Sequence, residues 1–526
     1  MRAFAHRAAV IATAAATVLG VALATTACTA EQTDPYAVDG LPDAALDVMN
    51  KAPYAEGTWY IAVQDIDTGE VLVDLNANRM AAPGSFVKTY SAGAAWLEWG
   101  PDHTITTPVK RRGEVTGGAL DGDLVLVGMG DITMGGRTKA DGTVDFTNLD
   151  HNDANFLAGS TLTPEDPLTG LDDLAEQVKA AGIDSVAGDV VVDDRLFTGE
   201  LGGQPVTPIV VNQNLIDVVV SPGEPGEPAS VDMIPVVSPW VVTSTVETVE
   251  AGGTTNITLP KPTRDGEILV SGTIAADSDP QLKVYAFADP ATFARTAFIE
   301  ALERAGVSVA ADPIIVNPDE KLADRATIDA LPSVAELESL SIEQEATYVM
   351  KISYNRGAQT LICRLAAERG STDCDDGIPI SAEIWDAAGL DILGASLVDG
   401  SGLEGNYITP ANALQIQTLM AKRPDAERWQ ATMPILGVDG SLFVVETDSP
   451  AAGKVLAKTG TLMDGDAFNN RMRLTTKTLG GVMETAKGRN LAFTIMVNQG
   501  FFPSLEGVFE ANDDVGAVAA IIQQAY

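Results

Sequence analysis

The hydrophobic pattern changes character twice along the chain, and that change constrains the fold more than any other feature. Before about residue 103 helical and strand-like stretches are mixed. "PDAALDVMNKA" reads as a short helix with Asp43 near its start, and "TWYIAVQDID-TGE-VLVDLN" as a hairpin turning at Asp67–Gly69. From about 104 to 334 strand-like pieces such as "DLVLVG", "GDVVVDD", "LIDVVVS" and "EILVSGTI" dominate, with many Gly and Pro between them. Two helices interrupt them, one from about Leu168 to Ala181 and one opened by Asp289 and Pro290; they stop at Gly182 and Gly306. Past 340 the mixed pattern returns. A strand at Tyr348–Ile352 runs into a helix after Asn355, and another helix starts at Thr409-Pro410. "KVLAKTGTL" is a strand, "LGGVMET" and "LAFTIMVN" form an antiparallel pair, and an amphipathic helix ends the chain. A chain of 526 residues exceeds what one core serves. The expected architecture is one α/β (α+β) domain, an antiparallel sheet flanked by helices, built from residues 41–103 and 335–526. A large β-rich insertion over 104–334 forms one or two extra domains.

The first 30 residues carry Arg2 and Arg7, then an apolar small-residue run to about Ala24, then "TTACTA". This is the pattern of a secretory signal, with a retained anchor as the alternative. "ATTAC" resembles a bacterial lipoprotein box and makes Cys28 a lipidation candidate, although Thr25 stands where the box has Leu. No later segment is apolar enough to span a bilayer, so the mature protein is expected to be exported and extracytoplasmic, with a membrane attachment only through such a lipid anchor. Export permits a disulfide between the remaining cysteines, Cys363 and Cys374; two free thiols are the alternative.

A net charge of −40 argues against nucleic acid, which needs a basic footprint. After signal removal only His103 and His151 remain, so a zinc site is not expected and no metal or cofactor is assigned. "DHNDAN" at 150–155 looks faintly like a calcium loop but lacks the spacing, and reads as a solvated loop.

The chemistry concentrates in three short patterns. Ser85 and Lys88 are the only Ser-x-x-Lys in the chain, at the start of a helical run. Residues three apart on a helix lie about 60° apart in azimuth, so the two can share a proton. A serine hydroxyl needs a base to become a nucleophile, and lysine serves only if burial or a second cation lowers its pKa. Ser353-Tyr354-Asn355 is the only Ser-x-Asn and Lys458-Thr459-Gly460 the only Lys-Thr-Gly. In this order they assign a proton relay to Ser353, an amide anchor to Asn355, and to Lys458 a second cation that lowers the Lys88 pKa and attracts a substrate carboxylate. Thr459, Gly460 and Thr461 become substrate-binding positions: the threonine hydroxyls hold the carboxylate, and the Thr461 N–H joins that of Ser85 as an oxyanion hole.

With these patterns the sequence resembles the class C low-molecular-mass penicillin-binding proteins, the D-alanyl-D-alanine carboxypeptidase/endopeptidases. The resemblance runs from about Trp59 to the C-terminus. It includes "DIDTGEVL", "LVLVGMGDITM", "GDVVVDDRLF", "DGSGL" at 399–403, "LGVDGSL" and the long insertion itself. It implies a penicillin-binding, transpeptidase-like domain, an acyl-enzyme on Ser85, a peptidoglycan stem peptide ending in D-Ala-D-Ala as substrate, and β-lactam antibiotics that acylate the same serine and leave slowly. Other readings on the same machinery are a β-lactamase or esterase, and an attenuated wall-binding or sensor protein. Three departures touch the pocket. Glu404-Gly405 follow "DGSGL" where the family has Ser-Arg. The stretch 199–214 lacks the family's aromatics. "LMDGDAFNNRMRL" after the Lys-Thr-Gly-Thr reads as an insertion.

Overall fold

The structure, a computed structural model, describes residues 34–261 and 266–526. The signal segment 1–30 and Cys28 lie outside the described residues.

The two ends of the chain build one sheet. Its five strands run, in spatial order, Val455–Asp466, Arg471–Glu484, Asn490–Phe502, Thr58–Asp65 and Val71–Leu75. The joint is the antiparallel pairing of Thr58–Asp65 with Asn490–Phe502, in which Trp59 faces Val497 and Ile61 faces Ile495. One face packs on the helices Asp43–Met49 and Leu505–Ala525, around Trp59, Ile61, Phe493, Leu479 and Val518. The other face meets a helical layer through Phe86, Tyr90, Trp96, Leu361 and Trp385. Both faces are covered, so the central strands are apolar without alternation. The stretch "LMDGDAFNNRMRL" lengthens the hairpin between the Val455–Asp466 and Arg471–Glu484 strands and leaves Phe468 exposed beside its turn.

The inserted segment has a six-stranded sheet of its own, closed by Ser333–Glu338 pairing back onto Thr106–Thr116. The helices Thr169–Ala180 and Pro290–Arg304 cover it, the second capped by the Asp289 carboxylate, which accepts from Thr292 N–H at 3.0 Å. Two three-stranded sheets lie beyond. Val190, Ile216, Val246, Ile268 and Phe298 belong to one continuous hydrophobic cluster, so these layers share a core.

Two expectations are corrected. Tyr348 to Lys351 are not a strand but the end of the helix Ile342–Lys351. Ile342, Glu345, Ala346 and Val349 are buried at helical spacing, but Tyr348, Met350 and Lys351 are buried as well, so the last turn taken alone shows no period and its β-branched and aromatic content misleads. "DHNDAN" is not a solvated loop. Asp150 and His151 are buried, Asp150 in a two-pronged pair with Arg137 at 2.7 and 2.9 Å, and His151 Nδ1 is 2.7 Å from Asp217 Oδ1. Its carboxylates are used by protein partners, and no cluster of three potential metal ligands occurs among the described residues.

Candidate active site

Ser85 lies in a tight helical turn, Gly84–Val87, that leads directly into the helix Lys88–Trp99. Gly84 has a φ of +55°, and a Cβ on it would stand 2.7 Å from the backbone N of Thr461. Only glycine lets the Ser85 turn press against the Val455–Asp466 strand. A Cβ on Gly460 would stand 2.0 Å from Pro83 O, so the glycine of the Lys-Thr-Gly is the matching half of that contact.

Lys88 is fully buried, and its Nζ has three neighbours: Ser85 Oγ at 2.7 Å, Asn355 Oδ1 at 2.6 Å and Ser401 O at 2.9 Å. Two of these oxygens can only accept. When the amine is neutral they can take its two N–H bonds, which leaves the lone pair for the Ser85 hydroxyl. Burial lowers the Lys88 pKa to about 7, against the opposing pull of Asp153 and Asp399. Burial and the repulsion of Lys88 and Lys477 hold Lys458 well below the usual lysine range. Repulsion between two amines is mutual, so a charged Lys458 adds to what burial does at Lys88.

Ser353 follows the helix Ile342–Lys351 in a left-handed conformation, φ +60°, and Asn355 opens the next helix, Asn355–Glu368. This turn projects both side chains to one place. Asn355 Oδ1 accepts from Lys88, and Ser353 Oγ accepts from Lys458 Nζ at 3.0 Å. Lys458, fully buried, also donates to the Thr459 carbonyl at 2.9 Å. Thr459 Oγ1 is 2.7 Å from Ser441 Oγ, and Thr461 Oγ1 accepts from Lys477 Nζ at 2.8 Å. Ser85, Lys88, Ser353, Asn355, Lys458, Thr459, Gly460 and Thr461 thus form one connected site.

Cys363 and Cys374 are joined as a disulfide beneath this region. With Phe197, Leu201 and Val206 they make a small apolar cluster that also packs Leu403. The aromatic-free stretch contributes its hairpin, Gly199–Leu201 with Gln204–Val206, to that cluster. Glu404 is exposed.

Four contributors had no assigned role in the sequence. Ser401 holds Lys88 through its carbonyl, and Asp399 shapes that loop by accepting the N–H groups of Ser401 at 2.6 Å and Gly402 at 2.7 Å. "DGSGL" was the available signal. Asp153 stands near Lys88 and Lys458 on a segment held by Asn152, which donates to Ile352 O at 3.3 Å, and by Asn148, which accepts from Gly440 N. Lys477 reaches the site from a neighbouring strand and carried no motif.

Residues 43–510 match the D-Ala-D-Ala carboxypeptidase 3 (S13) family. A D-alanyl-D-alanine carboxypeptidase of Actinomadura sp. (strain R39) is 28% identical over 463 residues, covering 81% of this chain and 77% of that protein. The D-alanyl-D-alanine carboxypeptidase DacB of Haemophilus influenzae is 22% identical, over 86% of this chain and 87% of its own. The crystal structure of penicillin binding protein 4 (dacB) from the same organism superposes with a TM-score of 0.68 at 21% identity, over 91% of this chain and 99% of that one. That protein has also been solved with a β-lactam bound.

Proposed function

The chain belongs to the D-Ala-D-Ala carboxypeptidase 3 (S13) family and is a serine peptidase of the class C low-molecular-mass penicillin-binding type, and from that premise we propose that Ser85 is its nucleophile and Lys88 its general base. The observation that carries this is the Lys88 amine, 2.7 Å from Ser85 Oγ and pinned by two oxygens that can only accept. As Ser85 Oγ bonds to the carbonyl carbon of the penultimate D-Ala, its proton passes to Lys88 Nζ. The backbone N–H groups of Ser85 and Thr461 receive the developing oxyanion. Collapse breaks the C–N bond, and Ser353 relays the proton from Lys88 to the departing D-Ala amine. Water then attacks the ester, gives its proton to Lys88, and Ser85 recovers it. Thr459, Thr461 and Lys458 hold the terminal carboxylate, and Asn355 holds the peptide amide. Endopeptidase cleavage of cross-links follows the same steps.

β-Lactams are proposed as acylating ligands of Ser85, in line with the β-lactam bound by the Haemophilus protein. The peptidoglycan substrate places the work outside the cytoplasm; residues 1–30 are the proposed export signal and Cys28 a proposed lipid anchor. Among the described residues no helix is long and apolar enough to cross a membrane.

The test is labelling with a fluorescent penicillin together with D-Ala release from a stem pentapeptide. Wild type takes a lasting label and releases D-Ala, and Ser85→Ala does neither while keeping its thermal midpoint. A Ser85→Ala protein that still labels removes Ser85 from the reading. A label that wild type sheds rapidly favours a β-lactamase.

A further inference from the structure

Lys477 is a buried amine that the mechanism above does not use. It lies on the Arg471–Glu484 strand directly opposite Thr461, and residues opposite one another in an antiparallel pair share a face of the sheet. Its Nζ donates to Thr461 Oγ1 at 2.8 Å, while its side chain is almost wholly out of water. No carboxylate lies within salt-bridge distance of Lys477, Lys458 or Lys88 among the described residues. The carboxylate that acts on Lys477 is Asp513, which attracts it without a salt bridge. A buried amine without a counter-ion destabilises the fold. Asp153 acts on Lys88 and Lys458 and Asp399 on Lys88, each without a salt bridge, and neither acts on Lys477.

The position of Lys477 matches one feature of a D-Ala-D-Ala terminus. The terminal carboxylate sits one residue beyond the scissile carbonyl, about 3.8 Å from Cα to Cα. Its binding groups must therefore stand on the strand beside Ser85. Thr461 is on that strand, its backbone N packed against the turn of the nucleophile. The hydroxyl that would meet the carboxylate is the one Lys477 holds.

We propose that Lys477, acting with the Thr461 hydroxyl, is a specificity-determining anchor for the free α-carboxylate of the leaving D-amino acid. The inference rests on the carboxypeptidase reading above and adds a second lysine to its carboxylate site. Burial lowers the Lys477 pKa to about 7 in the empty site, and an incoming carboxylate reverses that depression. The amine is then a full cation when the substrate is bound.

The experiment compares kcat/KM for a stem pentapeptide ending in D-Ala-D-Ala with that for the same peptide as its C-terminal amide, in wild type, Lys477→Met and Lys477→Arg. A hydrogen bond to a charged group corresponds to a factor of about 10–150. Lys477→Met is expected to lose that factor on the acid and less than about 3-fold on the amide, so the preference for the acid collapses. Lys477→Arg restores most of it. If acid and amide fall together, Lys477 only supports the fold, and the inference is wrong. It is also wrong if wild type cleaves both equally, or if Lys477→Met keeps the acid preference. Should Lys477→Met fail to fold, Lys477→Gln, which keeps a donor to Thr461, carries the same comparison. A wild type that releases D-Ala from neither peptide overturns the carboxypeptidase reading and the inference with it.

Discussion

Replacing Asn355 by Asp is the sharpest test of how Lys88 becomes a base. The substitution keeps the shape of the side chain and puts a carboxylate where an amide oxygen now stands 2.6 Å from Lys88 Nζ. At that distance the gross attraction with an effective dielectric of ~20 is about 6 kcal/mol. Desolvation of the new carboxylate takes back much of it, and a carboxylate beside a cation moves a pKa by about 1–3 units. Taking about two units, Lys88 shifts from about 7 to roughly 9. At pH 7 the neutral fraction then falls from about one half to about one hundredth, and at pH 9 it is again about one half. The assay is the second-order rate of acylation by a fluorescent penicillin from pH 5 to 10. Wild type is expected to rise through pH 7 and level off. Asn355→Asp is expected to be about 50-fold slower than wild type at pH 7 beyond any uniform loss, and to recover all but about 2-fold of that by pH 9. The ratio of rates at pH 9 and pH 7 cancels whatever Asn355 contributes to holding the substrate. A uniformly lowered profile with the midpoint still near 7 would falsify the assignment of Lys88 as the titrating base.

Three further outcomes follow from the same geometry. Asp153→Asn removes a carboxylate that raises the Lys88 and Lys458 pKa values, so the acylation profile should shift to lower pH, and a shift to higher pH would refute the placement of Asp153. Lys88→Met removes an amine whose folded pKa lies below its unfolded one. Such a group costs stability in full below about pH 7 and less as pH rises toward about 10.4, so the gain in thermal midpoint should be larger at pH 6 than at pH 9, which calorimetry reads directly. Changing both Cys363 and Cys374 to Ser opens a bridge between residues eleven apart. This should lower stability by roughly 3 kcal/mol, read as a fall in thermal midpoint, and loosen the 199–206 hairpin to proteolysis.

Much of the architecture was legible because it is written in local pattern. Asp289-Pro290 before an apolar run marks a helix start, and Thr409-Pro410 does the same; both are caps in the structure, with the side chains accepting from Thr292 and Asn412 N–H groups. The hairpin at 58–75 and the pair around 486–490 declare themselves by β-rich runs around turn residues. The helix at Ile342–Lys351 did not, because its last turn, Tyr348 to Lys351, is buried all round and reads as a short β-rich run. "DHNDAN" misled for a related reason. Its polar letters suggest solvent, yet Arg137 and Asp217 come from elsewhere in the chain to pair with Asp150 and His151 inside the protein.

The sequence by itself determined which side chains could do chemistry. A serine three residues before a lysine shares its helical face whatever the rest of the chain does, and the order of Ser85, Ser353-Tyr354-Asn355 and Lys458-Thr459-Gly460 singles out the machinery that penicillin-binding proteins and serine β-lactamases share. Only the tertiary structure decided the state of those groups. The depression of Lys88 comes from burial beneath two acceptor oxygens at residues 355 and 401, which packing brings to it across 267 and 313 residues of chain. The entry of Lys477 is a matter of register: shifting the Arg471–Glu484 strand by one residue would turn its amine to the other face of the sheet. Proton affinity and strand register depend on what surrounds a residue in space, and spacing along the chain records neither.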